Sequence, residues 1–180
     1  MGKSDQQEQG KNKSPDMKIF PVPFALGEIK ENISITMNIP SKPSKEKIIN
    51  QALKFHSQGN ISEALKHYQH FINQGFKDPI VFCNYGGILR DLGNLQDAET
   101  YTRKAIEITP NFAGAHSNLG NILRDLDKLQ EAELSTRKAI ELNPSYAMAH
   151  SNLGSILRDL GKLEEASNCL KKAIELNPSY

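Results

Sequence analysis

Tryptophan is absent from this 180-residue chain, and aromatic residues together make up only 7% of it. A surface that stacks nucleobases needs aromatic faces, so single-stranded nucleic acid is a poor candidate ligand. An excess of charge of either sign is also missing. Lys and Arg number 22 against 21 Asp and Glu, which leaves no electrostatic reason to expect a polyanionic partner. No run of apolar residues approaches the ~20 needed to cross a bilayer, so no membrane partner is expected. The two cysteines, Cys83 and Cys169, lie far apart without metal or redox spacing. They read as small buried or half-buried thiols in a reducing compartment.

Targeting signals are equally scarce. The N-terminus MGKSDQQEQGKNKSPD has no apolar core and so is not a secretory signal. Gly2 invites myristoylation, but Gln6 stands where that motif wants Ser or Thr. Asn12, Asn32 and Asn60 each open an Asn-x-Ser sequon, read as chance matches without an export signal. A cytoplasmic location is the resulting expectation. Catalytic motifs are missing too: there is no Gly-rich phosphate loop, nucleophile elbow or metalloprotease pair. His67 and His70 are three apart but have no third ligand nearby in sequence, and read as surface histidines. His116 and His150 read as packing residues of the core. No enzyme, cofactor or metal site is therefore expected.

What the chain does have is repetition. AHSNLGNILRDL begins at Ala115 and returns as AHSNLGSILRDL at Ala149, an offset of 34 residues. That period suits a supersecondary unit that stacks on copies of itself. From Lys45 the chain divides without insertions into the blocks 45–78, 79–112, 113–146 and 147–180. Residues 1–44 differ from the rest. The first sixteen are polar and aperiodic and read as disordered; Pro21 and Pro23 exclude a helix interior. Ile33, Ile35, Met37 and Ile39 alternate with polar residues as in an extended segment, and Ser41, Pro43 and Ser44 form a linker and helix start.

Each block reads as two helices. The first ends at Gly59, Gly93, Asp127 or Gly161, residues that adopt or tolerate the left-handed conformation. Asp78 and Pro79 supply an N-cap and a first helical residue. Second helices open with Glu63, Asp97, Glu131 or Glu165 and end before Pro110, Pro144 and Pro178. Their basic pairs, Arg103-Lys104, Arg137-Lys138 and Lys171-Lys172, are read as complementing the helix dipole.

The eighth position of the blocks holds Ala52, Gly86, Gly120 or Gly154. Glycine inside a helix costs about 1 kcal/mol relative to alanine, so a close approach of the second helix at Ala64, Ala98, Ala132 or Ala166 is expected to offset it. Further small sites lie at Ala105, Ala139 and Ala173. Leu89, Leu92 and Leu95, with Leu123, Leu126, Leu129 and Leu157, Leu160, Leu163, read as the larger apolar residues around them.

This arrangement resembles the tetratricopeptide repeat over residues 45–180. The aromatic position is Phe82 in the second block and His116 or His150 later; Ile48, Gln51 and Phe71 make the first block degenerate, as in a cap. The resemblance implies an all-α, right-handed α-solenoid whose first helices line a concave groove. Positions 2, 5–6, 9 and 12–13 of each block form one stripe at helical spacing. Position 6 is asparagine in all four blocks: Asn50, Asn84, Asn118 and Asn152. A carboxamide offers a donor and an acceptor to a peptide group whatever side chain lies beside it. Beside that ladder stand Arg90-Asp91, Arg124-Asp125 and Arg158-Asp159, expected to pair across repeats, and the smaller Gly87, Asn121 and Ser155. Position 5 (Ile49, Cys83, Ser117, Ser151) lacks the lysines that clamp a C-terminal carboxylate. The strings SNLG and KLQEA with the asparagines are similar to the superhelical arm of the O-linked N-acetylglucosamine transferases, which implies a peptide-holding role for the four asparagines. The functional expectation is a scaffold or adaptor module that binds an extended peptide segment of a partner protein; the alternative is the recognition arm of a larger transferase. Self-association through an uncapped last repeat is a further expectation.

Overall fold

A computed structural model describes residues 44–179 of the chain. Among them there are eight helices and no strand: α1 (Lys45–Ser57), α2 (Ile61–Asn73), α3 (Pro79–Asp91), α4 (Leu95–Ile108), α5 (Ala113–Asp125), α6 (Leu129–Leu142), α7 (Ala147–Asp159) and α8 (Leu163–Leu176). Odd and even helices form the pairs α1–α2, α3–α4, α5–α6 and α7–α8, and each even helix also packs on the next odd one. The odd helices α3, α5 and α7 touch in succession, giving the layered α-solenoid expected. The extended reading of 33–39 and the disordered reading of the N-terminal stretch lie outside the described residues.

Local chemistry sets each boundary. Ser44 caps α1 by accepting from Lys47 N at 3.3 Å, and Asp78 caps α3 by accepting from the amides of Ile80 and Val81 at 3.0 and 3.2 Å. Gly59, Gly93 and Gly161 end the first helices at φ of 72°, 80° and 75°, and Asp127 takes the same role at 60°. At Gly93 the paired bonds Gly93 N to Arg90 O (2.9 Å) and Asn94 N to Leu89 O (2.8 Å) satisfy carbonyls the helix end would leave open. The first block lacks a terminal proline, and Gly75 at φ 77° does that work instead, a stop the sequence reading missed.

The small eighth position is explained as expected. A Cβ built on Gly86, Gly120 or Gly154 would lie 3.1, 3.3 or 3.3 Å from the carbonyl oxygen of Ala98, Ala132 or Ala166. It would also collide with Thr102, Thr136 or Leu170 on the same second helix. The helices of a pair therefore touch backbone to backbone there. Around this seam Ile48, Ala52, Tyr68, Phe71, Val81, Ile88 and Ile122 build one core, with Tyr68 and Phe71 fully buried. Burying rings of that size stabilises by about 2–3 kcal/mol each.

Three expectations need correction. Leu92 is not in the core: it caps α3 and is 55% exposed. Leu163 is 66% exposed on α8. The basic pairs do not serve the helix dipole, since the last turns of α4, α6 and α8 contain no basic residue. Instead Arg103 bridges Glu99 (2.8 Å) and Glu131 (3.2 Å), and Arg137 bridges Glu133 (2.9 Å) and Glu165 (2.8 Å). Lys128 and Lys162 reach back to Glu99 and Glu133 at 2.8 Å, so the second helices are tied repeat to repeat. Finally, His116 and His150 are half-buried rather than core. Their Nε2 atoms lie 2.8 and 2.9 Å from the carbonyl oxygens of Pro110 and Pro144, where each ring fastens its helix to the preceding loop.

Candidate functional site

The stripe of first-helix residues named in the sequence is assembled by α3, α5 and α7. Its repeating contact is a side-chain bond between neighbouring repeats. Asn118 Nδ2 donates to Cys83 Sγ at 3.2 Å, and Asn152 Nδ2 donates to Ser117 Oγ at 3.0 Å. Both bonds link position 6 of one repeat to position 5 of the repeat before it. Asn84 cannot repeat the pattern, because Ile49 offers no acceptor at position 5 of the first block. Its Nδ2 instead donates to Tyr68 Oη at 3.3 Å, and that hydroxyl also lies 3.1 Å from His56 Nδ1. Asn50 is exposed on α1, beside Glu46, Lys47, Gln51 and Lys54, and joins no rung.

These bonds modify the sequence-based picture of freely presented carboxamides. One N–H of Asn84, Asn118 and Asn152 is committed within the protein, and all three residues are half-buried. An amide has two N–H groups, so a second N–H and Oδ1 of each are left outside these bonds. Burial pushes the Cys83 thiol up to about 11, with the bond from Asn118 acting in the opposite direction, so its sulfur stays protonated at neutral pH. Cys169 is half-buried, and both thiols are free.

Position 9 gives the stripe its floor. A Cβ on Gly87 would lie 3.7 Å from Asn118 Nδ2, so the bare glycine keeps the neighbouring amide uncovered. Asn121 and Ser155 are half-buried, and Asn121 Oδ1 is a buried acceptor with no donor among the described residues. Ile80 and Met148 at position 2 are 48% and 45% exposed and add apolar surface to the same stripe.

The Arg–Asp dipeptides make both of the pairings available to them. Across repeats, Arg90 Nε lies 3.4 Å from Asp125 and Arg124 Nε 3.8 Å from Asp159. Within each dipeptide the long arginine also curls onto its neighbour, at 3.1 Å for Arg90–Asp91 and 3.5 Å for Arg124–Asp125 and Arg158–Asp159. The sequence reading missed these sequence-adjacent pairs. Arg158 has no following repeat in the structure and is the most exposed of the three.

A second concavity lies where α5 meets the second helices α4 and α6. It has a volume near 460 Å³ and is lined by Ile106, Leu119, Leu123 and Leu134, with Arg103 and Glu131 at its rim. In the preceding repeat the corresponding space is filled by Phe82, Tyr85 and Tyr101, whose rings pack at 4.8–5.9 Å. The later repeat has His116, Leu119 and Ser135 there, which leaves the hollow. Among the described residues no group of three or more His, Cys, Asp or Glu is placed to hold a metal ion, and no helix is long and apolar enough to cross a membrane.

Known structures share this architecture. MamA is 18% identical with a TM-score of 0.68, the match covering 78% of this chain and 82% of that one. YrrB, described as "a TPR protein with an unusual peptide-binding site", is 22% identical with a TM-score of 0.66, covering 77% and 71%. TTC0263, a thermophilic TPR protein of Thermus thermophilus, is 20% identical with a TM-score of 0.66, covering 75% of each chain. At such identities the likeness concerns the fold. No curated protein matches the sequence. Two family models, both described as "Tetratricopeptide repeat", match residues 80–112, 113–146 and 147–180 in unbroken succession. The chain belongs to the tetratricopeptide repeat family.

Proposed function

We propose that the chain is a protein-interaction scaffold whose first-helix face holds an extended segment of a partner protein. The observation that carries this reading is the row formed by Asn84, Asn118 and Asn152. Each is half-buried, each is one repeat from the next, and each keeps an N–H and a carbonyl oxygen beyond its structural bond. Packed helices lie about 8–10 Å apart and three extended residues span roughly 10 Å, so such a row meets a peptide backbone about every third residue. The uncovered floor at Gly87 suits the same ligand, since it leaves the Asn118 amide open on that side. Recognition of this kind reads backbone more than side chains. Affinity then falls in the micromolar range, about −8 kcal/mol. Asn50 stands apart from the row and takes no part in it.

Near-neutral charge supports a polypeptide over a polyanion as partner. The likeness of SNLG and KLQEA to the arm of the O-linked N-acetylglucosamine transferases supports the same use of the asparagines. A printed peptide-binding site on YrrB gives a precedent within the fold. Absence of a catalytic constellation leaves the chain a binder rather than an enzyme in this reading.

The test begins by selecting peptides from a displayed library on the full chain and measuring their affinity by fluorescence anisotropy. Asn118→Ala with Asn152→Ala is expected to weaken capture about tenfold or more. The rung bonds complicate that result, since removing them also costs stability, about 0.5–1.5 kcal/mol each. Ser117→Ala separates the two effects, because it breaks the same rung while leaving the Asn152 amide in place. Unchanged affinity in the asparagine double variant, or an equal loss in Ser117→Ala, would overturn the proposal.

A further inference from the structure

The hollow of about 460 Å³ between α4, α5 and α6 plays no part in the reading above. It arises from three positions at which the second and third blocks differ. Phe82, Tyr85 and Tyr101 stand at the registers of His116, Leu119 and Ser135. The third block thus has an imidazole, an aliphatic chain and a hydroxymethyl group where the second has three aromatic rings. Leu119 and Leu123 are buried beneath the gap, and Ile106 and Leu134 wall it. The Ser135 hydroxyl donates to His116 O at 3.1 Å, so its one donor is already engaged.

Two features at the edge indicate what fits. The first is Lys138. Its counterpart in the second block, Lys104, holds its ammonium 4.7 Å from the centroid of the Tyr101 ring. Lys138 borders the hollow at the same register, with Ser135 where that ring would be. Its own partner is Glu141, three residues along the helix at 2.7 Å, and an exposed pair of this kind is readily given up. The second feature is Leu134. The other blocks have Lys66, Thr100 and Asn168 at this register, so the repeat itself does not need an apolar residue there. A lone exposed leucine means little by itself. Leu134, however, is 70% exposed, more than any other large apolar residue described, and it stands on the rim of the hollow.

We propose that the hollow receives an aromatic side chain, tyrosine or phenylalanine, from a partner polypeptide. The ring takes the place that Tyr101 holds in the preceding repeat, with Leu119 and Leu123 beneath it and the Lys138 ammonium over its face. Size agrees. An apolar cavity of about 150 Å³ takes up benzene, so a hollow of about 460 Å³ holds one ring together with a neighbouring apolar group. Charge agrees as well. The rim carries two cations, Arg103 and Lys138, and two carboxylates, Glu107 and Glu131, and Arg103 is already paired with Glu131 at 3.2 Å. Such a balanced rim favours a neutral anchor over an ionic one.

Leu134 decides between a polypeptide and a free aromatic molecule. A small molecule fills the hollow and leaves that leucine in water. A polypeptide covers both, because residues flanking the aromatic one reach the exposed side chain on the rim. The site shares no residue with the asparagine row, so the two readings stand or fall separately.

The test uses the methyl-labelled full chain with p-cresol, the side chain of tyrosine, and methylcyclohexanol, its saturated counterpart. In NMR titrations p-cresol is expected to shift the methyl signals of Ile106, Leu119, Leu123 and Leu134 at millimolar concentration, and the saturated alcohol to bind about threefold more weakly. A peptide library with one fixed tyrosine is then selected on the full chain and counter-selected on Ser135→Tyr, which plugs the hollow from within as Tyr101 does in the second block. That step discards peptides held by the first helices. The remaining peptides are expected to compete with p-cresol, to bind at least about tenfold tighter than it, and to lose about tenfold when their tyrosine becomes alanine. Leu134→Thr, which installs the second block's residue, is expected to weaken them several-fold. Lys138→Gln is expected to remove the preference for the aromatic alcohol, with circular dichroism unchanged in both variants. No shift at these methyls, equal binding of the two alcohols, no peptide surviving counter-selection, or peptides indifferent to Leu134→Thr would each overturn the proposal. Peptides no tighter than p-cresol would overturn it too, leaving a free aromatic molecule as the occupant.

Discussion

Replacing Gly120 by alanine sets two opposing effects against each other. Helix propensity favours the change by about 1 kcal/mol. The added methyl, however, lands on Thr136 Oγ1 and lies 3.3 Å from both Ala132 O and Thr136 Cβ. Thr136 is fully buried, and its hydroxyl donates to Ala132 O at 2.9 Å. To make room, Thr136 must turn and lose that bond, about 1 kcal/mol, or the helices must part at an overpacking cost of about 1–3 kcal/mol. The sum predicts that Gly120→Ala destabilises by about 1–3 kcal/mol. Gly86→Ala provides an internal comparison. Its methyl meets Thr102, whose buried hydroxyl has no partner among the described residues, so there is no bond to forfeit. That variant is expected to lose about 1 kcal/mol less. The assay is urea denaturation followed by circular dichroism, with Thr136→Ala and the Thr136→Ala, Gly120→Ala double variant completing a cycle. Relief of the collision makes the double variant more stable than additivity allows, by about 1–2 kcal/mol. Gly120→Ala as stable as the parent, or a cycle without coupling, would refute the close approach of the helices.

Two further outcomes follow from the same geometry. Asp127 holds a positive φ of 60° where the sister repeats have glycine, so Asp127→Gly is expected to raise stability by about 0.5–1 kcal/mol in the same denaturation experiment. Glu133 is held below the usual carboxylate range chiefly by its bond from Lys162, with Arg137 adding to it and burial opposing. Its folded value is depressed, so the stabilisation is present above the unfolded carboxylate value near 4.5 and disappears as pH falls through the folded one. Melting temperature in Glu133→Gln is accordingly expected to fall less between pH 6 and pH 3 than in the parent; equal slopes would contradict this.

Much of the fold was legible because repetition averages out local ambiguity. A single glycine in a helix means little, but Gly86, Gly120 and Gly154 at one register define a contact surface, and the structure places that contact on Ala98, Ala132 and Ala166. Stops at Gly59, Gly93, Asp127 and Gly161 were readable for the same reason. Gly75 was not, because it occurs in one block alone. The candidate site was half legible. Periodicity put the asparagines on one stripe, yet gave no sign that each amide also bonds backward to position 5. That bond depends on how far one repeat is rotated from the next, which a linear pattern does not encode. A sulfur or hydroxyl at Cys83 and Ser117, set against an inert Ile49, was the available signal. The basic pairs were misread because their spacing within one helix matches two explanations, dipole and ladder. Only the neighbouring repeat, with Glu131 and Glu165, distinguishes them.

The polar ties between second helices have a mechanical consequence. Arg103–Glu131, Lys128–Glu99, Arg137–Glu165 and Lys162–Glu133 bridge successive turns of the coil along one wall, whereas carboxamide bonds bridge the opposite wall. Ionic strength loosens the first set far more than the second, because only the first is held by opposite charges at a wetted surface. Raising electrolyte is therefore expected to weaken the ties along the second helices before those along the first, so that the two walls of the coil differ in their response to salt.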